Sequence, residues 1–106
     1  MITNKELTTS AVTILEGGKA NTKHIGLSSA INTTGADVTV TVHLVPRGGV
    51  VANSNKIAIE TIASGETGLS AIAGTYLYYG ETIQALSSVA SGVYINLSAG
   101  DGIYMG

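Results

Sequence analysis

Residues 37–46 (DVTVTVHLVP) alternate strictly, with Val38, Val40, Val42 and Leu44 on one side of an extended chain and Asp37, Thr39, Thr41 and His43 on the other. A helix at 3.6 residues per turn would scatter these valines around its circumference, so the pattern predicts a half-buried antiparallel strand. β-Branched Val and Thr favour the same pleated backbone. Pro46 has no N–H to give to a ladder and ends the strand. The preceding residues 22–31 are expected to pair with it as a hairpin closed by Thr34-Gly35. In that register Ile31 faces Val38, Leu27 faces Val42 and Ile25 faces Leu44, apolar against apolar.

The remaining pattern predicts more short strands. Residues 11–15 (AVTIL) form the first, closed by the permissive turn Glu16-Gly17-Gly18-Lys19. Residues 47–55 (RGGVVANSN) form a flexible excursion, and residues 56–63 (KIAIETIA) return as a strand. Two Gly-Glu-Thr turns, at Gly65-Glu66-Thr67 and Gly80-Glu81-Thr82, introduce strands at residues 69–73 and 83–87. Between them lies TYLYY at residues 75–79, holding three of the five tyrosines. Residues 93–98 (VYINLS) alternate again, Gly100-Asp101-Gly102 reads as a turn, and residues 103–105 as a last strand. Eight or nine short strands with no helical stretch predict an all-β fold, an antiparallel β-sandwich of jelly-roll type.

Composition sharpens this picture. A chain of 106 residues supports one core. Its organisation is therefore expected to be an N-terminal arm over the polar residues 1–10, ordered on contact, and a single β-sandwich over residues 11–106. With no Phe, Trp or Cys, that core is aliphatic and carries no disulfide. Net charge is −2 with no basic run, which recommends neither nucleic acid nor an anionic membrane as partner. Apolar runs stop well short of a bilayer span, and residues 1–7 lack the basic and apolar blocks of a signal peptide. Only 11% of residues are charged, against about 25% in typical soluble domains. A surface so poor in charge is expected to be covered by copies of itself or by a larger assembly.

Catalytic patterns are missing. The chain holds no G-x-S-x-G elbow, no phosphate-cradling loop and no His-rich metal motif, so neither an enzyme nor a cofactor is expected. Glu16, Glu66, Glu81 and Asp101 sit in or beside turns, where solvated structural roles are commonest. In the hairpin register above, His24 and His43 become diagonal neighbours on the outward face, about 7–8 Å apart at the backbone. With no third ligand in view, no metal is assigned. The tripeptides at Asn32 and Asn96 match the glycosylation signal, as chance matches in a Ser/Thr-rich chain do. Tyr76, Tyr78 and Tyr79 are candidate interface or sugar-stacking residues, with packing at the core edge the alternative, and alternation sends Tyr76 and Tyr78 to one face and Tyr79 to the other. Arg47, in the loop that would bind with them, completes the candidate interface.

The run from Asn32-Thr33 through Asp37–Val45 to Pro46-Arg47-Gly48-Gly49 resembles small β-sandwich virion proteins of tailed bacteriophages. Asn55-Lys56, Ser64-Gly65-Glu66-Thr67 and Gly80-Glu81-Thr82-Ile83-Gln84-Ala85 look like the later strands of the same proteins. The chain departs from their commoner pattern in its tyrosine cluster and in lacking a Pro or Ala-Gly turn before the second strand. The resemblance implies a virion structural protein, assembled in the host bacterial cytoplasm and without catalytic residues. A capsid decoration protein is expected, working as a homo-oligomer, a trimer by analogy, against other virion proteins such as the major capsid protein. The alternative is a collar, tail or fibre module that binds a host receptor or glycan through the tyrosines and residues 47–55.

Overall fold

The computed structural model describes residues 2–18, 22–69 and 71–102. Among them are nine strands: β1 (Ile2–Glu6), β2 (Val12–Glu16), β3 (Thr22–Asn32), β4 (Val38–Val45), β5 (Lys56–Ile62), β6 (Thr67–Gly68), β7 (Tyr76–Leu77), β8 (Thr82–Ser87) and β9 (Val93–Gly102). The antiparallel pairs β4 with β5, β3 with β6, β2 with β8 and β1 with β9 nest inside one another. The chain is thus one long hairpin whose tip is the loop over residues 46–55. Rolling that hairpin sets β9 beside β3 and β8 beside β4. Two sheets result, ordered β1-β9-β3-β6 and β2-β8-β4-β5, with β7 also on β3. This is a jelly roll, as the strand pattern predicts.

Period-two alternation places the core. Val38, Val40 and Val42 of β4, Ile83 and Ala85 of β8, and Val93, Ile95, Leu97 and Ala99 of β9 are all buried in one cluster. Their aliphatic branches fill the space between the sheets, where two inner faces of such strands interdigitate. Lys5 of β1 stands in register with Ile95, on the inward side, yet is exposed at the sheet edge. An inward charge on an edge strand opposes continuation of the sheet into another chain.

Four expectations are corrected. First, β3 and β4 do not pair with each other; they lie in opposite sheets. Alternation fixes which face of a strand meets the core and not which strand lies beside it, and both strands meet one core from opposite sides. A bulge at Gly26, where the register shifts between Ile25 and Leu27, also reverses the faces of β3. Ser28, Ala30 and Asn32 point in, while Leu27, Ser29 and Ile31 share the outward face with Ser98, Asn96 and Tyr94. The inward polar groups are satisfied. Ser28 Oγ donates to Leu69 O at 2.6 Å, and Asn32 secures the crossing between the sheets through four side-chain hydrogen bonds.

Second, the first ten residues are not a free arm. Ile2–Glu6 pairs residue for residue with β9, Leu7 is fully buried, and Thr8 O accepts the Ser87 N–H at 2.8 Å. Third, Leu69 and residues 71–73 lie in no strand, and Leu69 and Ile72 instead plug the core between β6 and β7. Leu69 adopts a left-handed φ of 69°, its N–H donating to Glu60 Oε1 at 3.1 Å. That conformation costs about 1–2 kcal/mol, which full burial of a leucine side chain offsets at about 1.5–3 kcal/mol. Ile72 is buried beside it in the same core. Fourth, β9 runs through residues 100–102, so no turn falls there. The strand expected at residues 103–105 lies outside the described residues.

Candidate functional site

The two histidines are far apart in role and place. His43 is on β4 of one sheet and His24 on β3 of the other, so the diagonal pair does not exist. His43 is buried, with Nδ1 2.7 Å from Asn55 Oδ1. Because that amide oxygen can only accept, His43 Nδ1 carries the proton. Asn55 Oδ1 also accepts the Ala52 N–H, and its Nδ2 donates to Val50 O. His43 therefore pins the tip of the long hairpin, which is a structural task. Among the described residues no three His, Asp or Glu side chains gather as a metal site. Three carboxylates work on the backbone: Glu6 accepts from Gly92 N, Glu60 from Leu69 N and Glu81 from Tyr78 N.

Tyr76, Tyr78, Tyr79 and Arg47 gather at one end of the sandwich, where Gly17 after β2, the β4–β5 loop and the β7–β8 turn meet. β7 pairs Leu77 with Lys23 and Tyr76 with His24. Leu77 is fully buried and anchors the segment, while the Tyr76 ring stacks on His24 at 4.4 Å between centroids, tilted by 33°. The strand stops there, so Tyr78 and Tyr79 belong to a turn and the expected division of faces by alternation does not apply. Glu81 closes that turn. Its N–H donates to Tyr78 O at 3.0 Å and its Oε1 accepts the Tyr78 N–H at 2.8 Å.

Arg47 reaches this turn from the hairpin tip. Its Cζ lies 4.5 Å above the centre of the Tyr79 ring, a cation–π contact. The aliphatic stem needs the room that Gly80 leaves. A Cβ at residue 80 would stand 2.5–2.9 Å from Arg47 Cβ, Cγ and Cδ, and the backbone there has φ of +81°. Tyr76, Tyr78 and Tyr79 remain 49%, 59% and 44% exposed.

Gly17 locks the end of β2 beneath the same turn. Its N–H donates to Glu81 O at 2.8 Å, and an added Cβ would come within 1.9 Å of Tyr78 O. Gly17→Ala is therefore expected to displace residues 78–81 and to destabilise the domain by about 2–3 kcal/mol, as overpacking against backbone does. Urea unfolding followed by far-UV circular dichroism measures it, and a shift in tyrosine fluorescence reports the moved turn.

A second surface was not legible in the sequence. The outer face of β1-β9-β3 consists of three cross-strand rows: Ile2, Ser98 and Leu27; Asn4, Asn96 and Ser29; Glu6, Tyr94 and Ile31. Glu6 is the one charged side chain in these rows. Asn4 Nδ2 donates to Asn96 Oδ1 at 2.5 Å across the middle row. Ile2 and Leu27 are 73% and 64% exposed. Gly26 inside an otherwise continuous strand is the local signal that announces such a bulge and the change of face. No protein-family model, curated protein or solved structure matches the chain.

Proposed function

We propose that this chain is a non-enzymatic structural subunit that associates with copies of itself through the outer face of the β1-β9-β3 sheet. The observation that carries the reading is the makeup of that face: exposed Ile2 and Leu27, half-exposed Tyr94, and amide and hydroxyl groups between them, with Glu6 alone charged. Depletion of charge around apolar and aromatic side chains is the composition of an interface core. Asn and Ser both donate and accept, so a neighbouring copy can satisfy them, and Glu6 at the edge of the rows is the one ion the contact could desolvate.

The sequence resemblance supports placing the subunit in the virion of a tailed bacteriophage, as a capsid decoration protein, three copies associating over the major capsid protein. Cement of this kind stabilises by mass action, because it binds the assembled shell and not its unfolded or free subunits. Antibody labelling of purified particles tests the placement. Label regularly spaced over the head is the expected result; particles free of the chain would overturn it.

One observation favours a second reading, a module that binds a host receptor or glycan. The held Arg47–Tyr79 pair and the exposed Tyr76 and Tyr78 lie together at a loop end, where a rigid scaffold presents binding groups.

A further inference from the structure

We propose that the loop end binds an acidic saccharide, Arg47 holding the sugar carboxylate and the tyrosine rings receiving the apolar face of the sugar. This deepens the second reading above and rests on it.

The guanidinium is fixed but uncommitted. Tyr79 supports one of its faces and Gly80 gives passage to its stem, yet among the described residues no carboxylate pairs with it. A planar fork of N–H donors held in this way matches the two oxygens of a carboxylate, and holding it beforehand lowers the ordering cost of binding.

The rings are fixed too. His24 backs Tyr76 and Arg47 backs Tyr79, while much of each ring stays open to solvent. A tyrosine offers an apolar body and a polar tip, which suits a partner that is itself a CH face edged with hydroxyls. An acidic peptide would use the cation and leave the rings without purpose.

Net charge does not mark this end, since Lys23, Arg47 and Lys56 lie toward it together with Glu16, Glu81 and Asp101; the held guanidinium carries the recognition. The nearby Glu81 carboxylate has an oxygen committed to Tyr78 N.

Amide NMR titration of the full chain tests the site with three probes: trigalacturonate, N-acetylneuraminic acid and the neutral maltotriose. At least one acidic sugar is expected to move the resonances of residues 47–49 and 78–81, saturating at or below millimolar concentration. Arg47→Gln should weaken it at least about tenfold, the cost of one charge-assisted contact. Arg47→Lys, which keeps the charge without the fork, should fall between. Both variants should melt with the parent, because Arg47 is exposed. Maltotriose binding as well as the acidic sugars, with no effect of Arg47→Gln, would overturn the acidic site and leave the glycan reading standing. Failure of all three sugars would overturn both.

Discussion

Val40→Asp is expected to leave no folded domain, whereas Thr41→Asp is expected to fold. Val40 is fully buried between Val38 and Val42 in the inner row of β4. Its neighbours across the ladder are Ser87 on β8 and Glu60 on β5, so the new carboxylate would be both desolvated and set beside another acid. An uncompensated buried charge costs several kcal/mol, comparable with the whole stability of a domain, about 5–15 kcal/mol. Thr41 lies on the outer face between Leu86 and Ile59 and keeps contact with solvent. A charge there costs about 1 kcal/mol through lost packing and β-propensity. Yield of soluble protein and urea unfolding measure both variants. Equal losses would mean that the outer face of β4 is as dry as the inner one.

Asn32→Ala is expected to cost about 3–5 kcal/mol, most of it from buried partners left unpaired. Asn32 is fully buried, and its amide uses every hydrogen-bonding position it has. Nδ2 donates to Ala36 O at 2.7 Å and Ile62 O at 2.9 Å; Oδ1 accepts from Thr34 N at 2.9 Å and Thr34 Oγ1 at 2.6 Å. One side chain thus joins the end of β3, the start of β4 and the end of β5 at the crossing between sheets. Asn32→Asp should be no better at neutral pH, since it aims a carboxylate at two carbonyl oxygens. Chemical unfolding gives the loss, and hydrogen exchange at Thr34 and Gly65 should rise with it. A loss below about 1 kcal/mol would show that water replaces the amide without penalty.

Both effects follow from features of different legibility. The alternation in β4, β8 and β9 is visible in the sequence because each strand has one wet and one dry face. Partners are not visible in that way. Nesting sets Ile2 beside Ser98 and rolling sets Thr22 beside Gly102, and no local signal encodes such separations. The β3–β4 hairpin was the local solution; Asn32, buried where an apolar residue is expected, is what replaces it with a crossing. Residues 2–6 read as a polar arm because an edge strand buries little. Residues 69–73 read as a strand because a short apolar run looks the same whether it pairs or plugs a gap.

At the loop end the candidates themselves were legible, Tyr76, Tyr78 and Tyr79 from their clustering and Arg47 from its loop. Their arrangement was not. Arg47 meets Tyr79 only because the hairpin tip and the β7–β8 turn return to the same end of the sandwich, and Gly80 shows its purpose only once the Arg47 stem lies over it. His24 and His43 show the converse, two residues joined by a local register that the fold does not use.

Sedimentation equilibrium of the parent chain and of Leu27→Lys decides whether copies of the chain associate through the outer face of β1-β9-β3. Leu27 is 64% exposed in the single chain, so the lysine should leave the domain folded. The parent is expected to be an oligomer at micromolar concentration, three copies by the resemblance, and Leu27→Lys a monomer. A parent chain that stays monomeric at high micromolar concentration, or a Leu27→Lys variant that associates as the parent does, would contradict it.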